Sequence, residues 1–375
     1  MVSILTYVKL RGIMTIRYPF PTAAYSYFTS LNKQSQKRQF LAGLIDEPSF
    51  RYRRGLTEAI LEERIAAANK QPLVEKNLRL VQASIKLRKD PTALDAFRSA
   101  NEAVYQAPSL EFASAILAHI SRRVAEKDAP LWNEALALLS VTSFESKVEG
   151  PSQELFAKYR QYLERYTTLP EVGDSVQTAL QNQLDITGLS SKGWRIRILK
   201  GNEHAHTYHG AKTISIGDEY TPRLPSAVKR IVIHEVLGHA MRGMQPSTEE
   251  SEGFAIVLEQ LTKDKFSYRR SYRYLAVALG WGVFGEPATF SEVFEVLWRL
   301  MKVHTGYSTA DAKEHAFDEC YRAFRGGRPD VAGAVFLKDA VYFSANIHMW
   351  KVLTQQELSY NEFIDIIEGR RTILS

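Results

Sequence analysis

A single cysteine, Cys320, occurs in the 375 residues of this chain. That excludes an internal disulfide and fits a reducing, cytoplasmic setting, with Cys320 read as a small core residue on a helix. Long apolar runs are missing as well. No window approaches the ~18 uncharged apolar residues of a membrane span, and the apolar stretch Val2 to Val8 is short and is followed by Lys9 and Arg11. No membrane span and no signal peptide are expected. A fixed repeat period is also absent, so a solenoid is not expected. What is present is an ordinary folding composition: 45% hydrophobic residues, enough to bury a substantial core in two or three domains or in one domain with a helical extension. The formal charge of +6 and pI near 9.1 favour anionic partners, whether an acidic peptide, nucleic acid or a membrane surface.

From Leu56 to Leu184 apolar residues recur three and four apart, which predicts helices over Leu56–Ala68, Leu73–Leu87, Pro91–Tyr105, Leu110–Ala125, Leu131–Ser143 and Gln153–Tyr166. Breaks fall before Pro91, Pro108, Pro130 and Pro151, where proline opens a helix more readily than it continues one. Trp194–Leu199 and Lys212–Ile216 alternate apolar and polar residues, the period of a strand. Helices then resume over Thr248–Thr262, Phe290–His304, Ala310–Phe324, Lys338–Leu353 and Tyr360–Gly369, with loops expected at Gly280–Gly285 and Arg325–Pro329. The fold class read from this pattern is mainly α (α+β). It comprises an extension over 1–20, a helical array over 21–185 and a second half over 186–375, with a small sheet ahead of one unusual helix.

That helix carries the chemistry. Val228 to Met241 reads as a buried apolar helix, yet residues 234 to 239 are His-Glu-Val-Leu-Gly-His. Two histidines and a carboxylate are costly to bury unpaired, and zinc is a common partner for the trio. The zinc-peptidase helix HExxH sets its histidines four apart, about 40° around the axis, whereas five steps leave them about 140° apart. An undistorted helix cannot aim both rings at one ion. A local i→i+5 turn or an unwound step is therefore expected, with Gly238 the natural place for it.

A zinc site needs a third protein ligand. The next helix opens with Glu249, Glu250 and Glu252. Ser247 and Glu250 stand in capping-box relation, and Glu249 suits the helix dipole. Glu252 is followed on its own face by Ala255 and Ile256, although Glu259 further along makes a partly wet stripe the plainer alternative. If buried, Glu252 needs a counter-charge, and Gly253 beside it permits close approach of another backbone. One zinc ion per chain, held by His234, His239 and Glu252, is the expected centre. Glu235 is left as general base for the water in the fourth position. A rival cluster, His204, His206 and His209, reads more plainly as a polar loop beside the sheet, able to line a cleft.

These segments resemble the tyrosine metallocarboxypeptidase family, which includes tubulin-detyrosinating enzymes and bacterial relatives. Glu47-Pro-Ser-Phe-Arg-Tyr52 resembles its Pro-x-Phe-x-Tyr segment, and His234-Glu235 with His239 its HExxxH. Glu252-Gly-Phe-Ala255 resembles its Glu-Gly-Leu-Ala signature. Tyr321–Gly327 and Phe336–Tyr342 resemble its closing blocks. The resemblance implies zinc-dependent removal of a C-terminal residue, an aromatic one such as tyrosine, from a protein or peptide whose tail can be acidic. The connection between His239 and Glu252 is shorter than is common in the family, which bears on a tubulin-like substrate more than on the chemistry. A carboxypeptidase must hold a free α-carboxylate, which Arg325 or Lys338 can do, with Arg322 a third candidate. Tyr342, four residues after Lys338, can donate to the oxyanion. The competing peptidase reading is the dipeptidyl peptidase three family, whose motif is His-Glu-Leu-Leu-Gly-His and which acts from the N-terminus. A third reading is a non-catalytic binder of acidic tails or nucleic acid through Arg51–Arg54 and Tyr268–Tyr274, although nucleic acid is not the expected partner.

Overall fold

The computed structural model describes residues 28–373 apart from 31, 53–56, 69–71, 141–143, 145–147, 149, 169–174, 201–204, 219–224, 244–247 and 269. The extension over 1–20, the side chains of Arg51–Arg54, His204 and the capping residue Ser247 therefore lie outside the described residues. Two short antiparallel strands, β1 (Phe28–Ser30) and β2 (Phe50–Tyr52), flank α1 (Lys33–Leu41). The array follows as α2 (Glu58–Ala67), α3 (Pro72–Lys89), α4 (Leu94–Glu102), α5 (Leu110–Ser121), α6 (Ala129–Leu138), α7 (Gln153–Tyr166) and α8 (Val176–Ile186). Its starts have local causes. Pro72 opens α3, and the Ser109 and Ser152 hydroxyls accept the Phe112 and Leu155 N–H groups at the heads of α5 and α7.

The second half begins with β3 (Arg195–Leu199), β4 (Ala205–Tyr208) and β5 (Thr213–Gly217), in the order β3-β5-β4. Strand β5 is parallel to β3 and antiparallel to β4, and all five of its residues are buried, as expected of a central strand. Thr207 on β4 lies level with Ile214 of β5. Next come α9 (Pro225–Val232) and, continuous with it, a π-helix over Ile233–Ala240. Then follow α10 (Thr248–Leu261), α11 (Ser271–Trp281), α12 (Phe290–Thr305), α13 (Thr309–Ala323), α14 (Lys338–Gln356) and α15 (Tyr360–Ile367). The mainly helical fold with a small mixed sheet is the class the sequence predicts.

Two apolar clusters hold these elements. One packs α2–α6 against α11–α13 and the head of α14; the other joins α7 and α8 to the sheet, the π-helix, α10 and α15. Helix α14 belongs to both, so it ties the two together. Cys320 is buried on α13, and burial pushes its thiol well above the usual range, as befits a core residue rather than a nucleophile. No described helix is long and apolar enough to cross a membrane.

Gly280 does not open a loop. Helix α11 runs through it to Trp281 and ends at Gly282 in the left-handed region, φ 90°. The run Leu275–Leu279 is wholly buried, so packing on all sides sustains the helix past a residue of low helical propensity.

Candidate metal centre

The expected defect is present, and it is longer than a single step. The backbone from Ile233 to Ala240 is π-helical, and the Met241 N–H bonds the Val236 carbonyl at 2.8 Å, five residues back. In such a turn the residue five on returns to the same face. The Nε2 atoms of His234 and His239 accordingly lie 3.1 Å apart. Gly238 lies within this π-helix, and it also serves packing. A Cβ there would meet the Ala255 Cβ at 2.5 Å and its Cα at 2.9 Å, so the missing side chain lets α10 cross directly over the motif. Two residues before Ala255 on α10, Gly253 lets α14 approach: a Cβ would stand 2.6 Å from the Ala345 carbonyl oxygen.

Pinned between these two close approaches, α10 directs Glu252 at the histidines. Its Oε2 is buried without a hydrogen-bond partner, 3.4 Å from Nε2 of His234 and 3.6 Å from Nε2 of His239. A tetrahedral zinc ion about 2.0–2.1 Å from each ligand needs donor atoms roughly 3.3–3.4 Å apart. The three edges of 3.1, 3.4 and 3.6 Å bracket that value. Among the described residues these three form the group able to hold a metal ion.

The charges point the same way. Burial alone would push the His234 imidazole down, yet the Glu252, Glu259 and Glu235 carboxylates hold it up, to about 10. Burial likewise works against the Glu252 carboxylate, but the two imidazoles draw it well below the usual range. A cluster that draws a proton onto a buried imidazole is short of positive charge, which a divalent cation supplies. The outer nitrogens are also set for it. Nδ1 of His234 lies 2.8 Å from Oε1 of Glu259, and Nδ1 of His239 lies 3.0 Å from the Ser251 hydroxyl. The Nδ1–Glu259 contact is an ion-pair distance without hydrogen-bond alignment, and the negative charge there favours a proton on Nδ1, which leaves Nε2 to face inward.

Around this centre stand the other residues the sequence singled out. Glu235 is buried beside it, and its Oε2 accepts the Thr207 hydroxyl of β4 at 2.7 Å. Lys338 is buried at the head of α14; burial pushes its amine down to about 8, and the Glu252 carboxylate is the largest opposing influence. Lys338 and Arg270 lie over the Tyr342 ring at 5.8 and 5.1 Å. Arg325, on the turn after α13, is half-buried and acts electrostatically on Lys338 and His206. Arg322 is engaged elsewhere, its Nη2 3.5 Å from Oδ1 of Asp339, a carboxylate that Arg273 also approaches at 3.6 Å.

The family model described as microtubule-associated tyrosine carboxypeptidase matches residues 236–364. This stretch is similar to the tyrosine carboxypeptidase family. No curated protein matches the chain. The matched stretch takes in His239, Glu252, Lys338 and Tyr342, and it begins immediately after Glu235.

Around this site, some residues sit where the sequence reading did not put them. Glu250, whose expected capping partner Ser247 lies outside the described residues, is buried, with Oε1 3.1 Å from Nη2 of Arg242 and accepting the Ile373 N–H at 3.1 Å. His206 belongs to the site: burial pushes it down to about 4, and its strongest charged neighbours are Glu235, Lys338, Glu252 and Arg325. The signal was the strand alternation that places it on a sheet edge. Glu259 and Thr207 were not singled out as site residues. Glu259 lies seven residues after Glu252, two turns along one face, and that spacing was its available signal. The run Tyr268–Tyr274 turns inward: Arg270 reaches Glu259 at 3.5 Å, Arg273 reaches Glu319 at 2.7 Å and Tyr274 is fully buried. Its described cations are spent on internal carboxylates, which leaves the non-catalytic binding reading without that stripe.

Proposed function

We propose that the chain is a zinc-dependent metallocarboxypeptidase that hydrolyses the C-terminal peptide bond of a protein or peptide and releases an aromatic residue such as tyrosine. The observation that carries this reading is the convergence of two imidazole nitrogens and one carboxylate oxygen at ligand spacing, beside a second carboxylate and a buried lysine. The family match favours action at a C-terminus over the N-terminal dipeptide release of the dipeptidyl peptidase three family.

His234, His239 and Glu252 are the residues that hold zinc, and the ion when bound supplies Lewis-acid polarisation to the scissile carbonyl. Glu235 takes a proton from the attacking water and passes it to the leaving amine. Tyr342, its ring flanked by Arg270 and Lys338, donates its hydroxyl to the developing oxyanion. Lys338 or Arg325 holds the substrate α-carboxylate, while Arg322 is committed to Asp339.

Peptides blocked at the N-terminus and ending in tyrosine, incubated with zinc-loaded protein, test this reading. Release of free tyrosine is expected, and Glu235→Gln is expected to keep its zinc while losing about 10²–10⁴-fold in rate. A variant as fast as wild type, or cleavage only of peptides with a free N-terminus, overturns the reading.

A further inference from the structure

The geometry points to Thr207 as a positioning residue for the general base, an inference that rests on the role of Glu235 proposed above. Glutamate has three rotatable side-chain bonds, and a base must hold its oxygen within hydrogen-bond reach of the water it deprotonates. Among the described residues, one protein group hydrogen-bonds the Glu235 carboxylate. That group is the Thr207 hydroxyl, 2.7 Å from Oε2.

The same hydroxyl lies 3.2 Å from the Glu235 carbonyl, and one proton cannot serve both. The distance decides between them. O–H···O bonds cluster near about 2.7–2.8 Å, and the main-chain carbonyls of a π-helix already have N–H partners five residues on. The proton therefore goes to Oε2, and Oε1 is the oxygen left to meet water. One hydroxyl thus fixes both the rotamer of the base and which of its oxygens acts.

The strand register makes this possible. Thr207 pairs with Ile214 on the central strand, and β4 lies against the π-helix at the sheet edge. Successive side chains alternate across a strand, so a slip of one residue would replace Thr207 with His206 or Tyr208 and leave Glu235 without its partner. The competing explanation is that Thr207 merely braces sheet to helix and satisfies a half-buried hydroxyl. The two differ in what the hydroxyl does when packing is unchanged.

Thr207→Val keeps the shape and removes the donor, while Thr207→Ser keeps the donor and removes the methyl. With zinc content and thermal midpoint measured for each, the expected result is a fall in kcat of about 10–100-fold for Thr207→Val, the cost of a misplaced group, with KM and zinc content unchanged. Thr207→Ser is expected to recover most of the rate. A Val variant with wild-type kcat, or a Ser variant no better than Val, overturns the proposal. Wild type and Glu235→Gln assayed alongside report on the base itself. Should wild type show no Glu235-dependent release, the fault lies with the proposed function, and the Glu235 side chain in a crystal structure of zinc-loaded Thr207→Val decides the Thr207 question alone. A displaced or split carboxylate supports the inference, and an unmoved one overturns it.

Discussion

Nε2 of His234 and Nε2 of His239 face each other at 3.1 Å although the residues stand five apart in the chain. The π-helix brings the rings together, and the absent side chain of Gly238 lets Ala255, one turn beyond Glu252, pack against the motif. Gly238→Ala forces a methyl against backbone that cannot yield as a flexible side chain can. The expected outcome is a loss of about 1–3 kcal/mol in stability and a zinc affinity lowered about tenfold or more as Glu252 is pushed from its place. Thermal melts and competition with a chromophoric chelator check both. Wild-type values in the two assays would mean that the crossing of α10 does not set the ligand geometry.

Glu259 offers a second test, because it touches His234 but is too far along α10 to be a ligand itself. Replacing it by Gln leaves the shape and takes away the charge that holds the proton on Nδ1. Zinc is expected to bind about 10–100-fold more weakly, with the helical content unchanged by circular dichroism. If the affinity stays at the wild-type level, the contact is a satisfied core ion pair and nothing more.

Much of this arrangement was legible in the residues, and the parts that were not share a cause. The 140° problem in His234–His239 predicts a helical defect because it is a local matter of turn geometry, and the defect is there. Gly253 predicts a close backbone approach for the same reason, and Ala345 makes it. Glu259 was hidden because helical period tells which residues share a face, not what faces them. A carboxylate two turns from Glu252 reads as a wet stripe until His234 and Arg270 are seen opposite it. Arg270 and Arg273 misled in the reverse sense, since a run of cations and aromatics looks solvated until buried Glu259, Asp339 and the partner Glu319 are found. The four-residue strand β4 carries little period of its own, so its contribution of Thr207 and His206 emerges only from pairing with β5.

Stability should depend on pH through Glu47. Burial pushes its carboxyl up to about 7, and Oε2 is enclosed without a hydrogen-bond partner while Oε1 accepts the Ser291 N–H at 3.2 Å at the head of α12. The folded state then binds a proton that the unfolded chain, with its value of 4.5, has released. Folding is favoured below pH 4.5, and that contribution drains away as the pH rises to about 7. Allowing for partial exposure, the loss is about 1–2 kcal/mol. Glu47→Gln is expected to flatten this slope and to be the more stable protein at pH 8, read from denaturant midpoints at several pH values. Parallel pH curves for the two proteins would refute the assignment.

The choice among the basic residues can be made by asking which of them recognises a free carboxylate. Lys338 is buried beside Glu252, Arg325 acts on the same surroundings, and Arg322 is held by Asp339. A charge-assisted hydrogen bond to a substrate carboxylate contributes about 1.5–3 kcal/mol, roughly 10–150-fold in kcat/KM. Lys338→Met should therefore lose that factor on peptides with a free C-terminus and almost nothing on the corresponding C-terminal amides, which lack the charge. Because Lys338 also feels the charge of Glu252, a proposed zinc ligand, zinc content must be matched before the rates are compared. Arg325→Met is expected to shift the same ratio by a smaller factor, since Arg325 is only half-buried and solvent screens its charge. Arg322→Met should instead lower the melting temperature, by stripping Asp339 of one of the two arginines at ion-pair distance among the described residues, and leave the acid-to-amide ratio in place. If Lys338→Met keeps the wild-type preference for free acids and Arg322→Met abolishes it, the carboxylate site lies on the Asp339 side of α14 and the roles proposed for these residues must be exchanged.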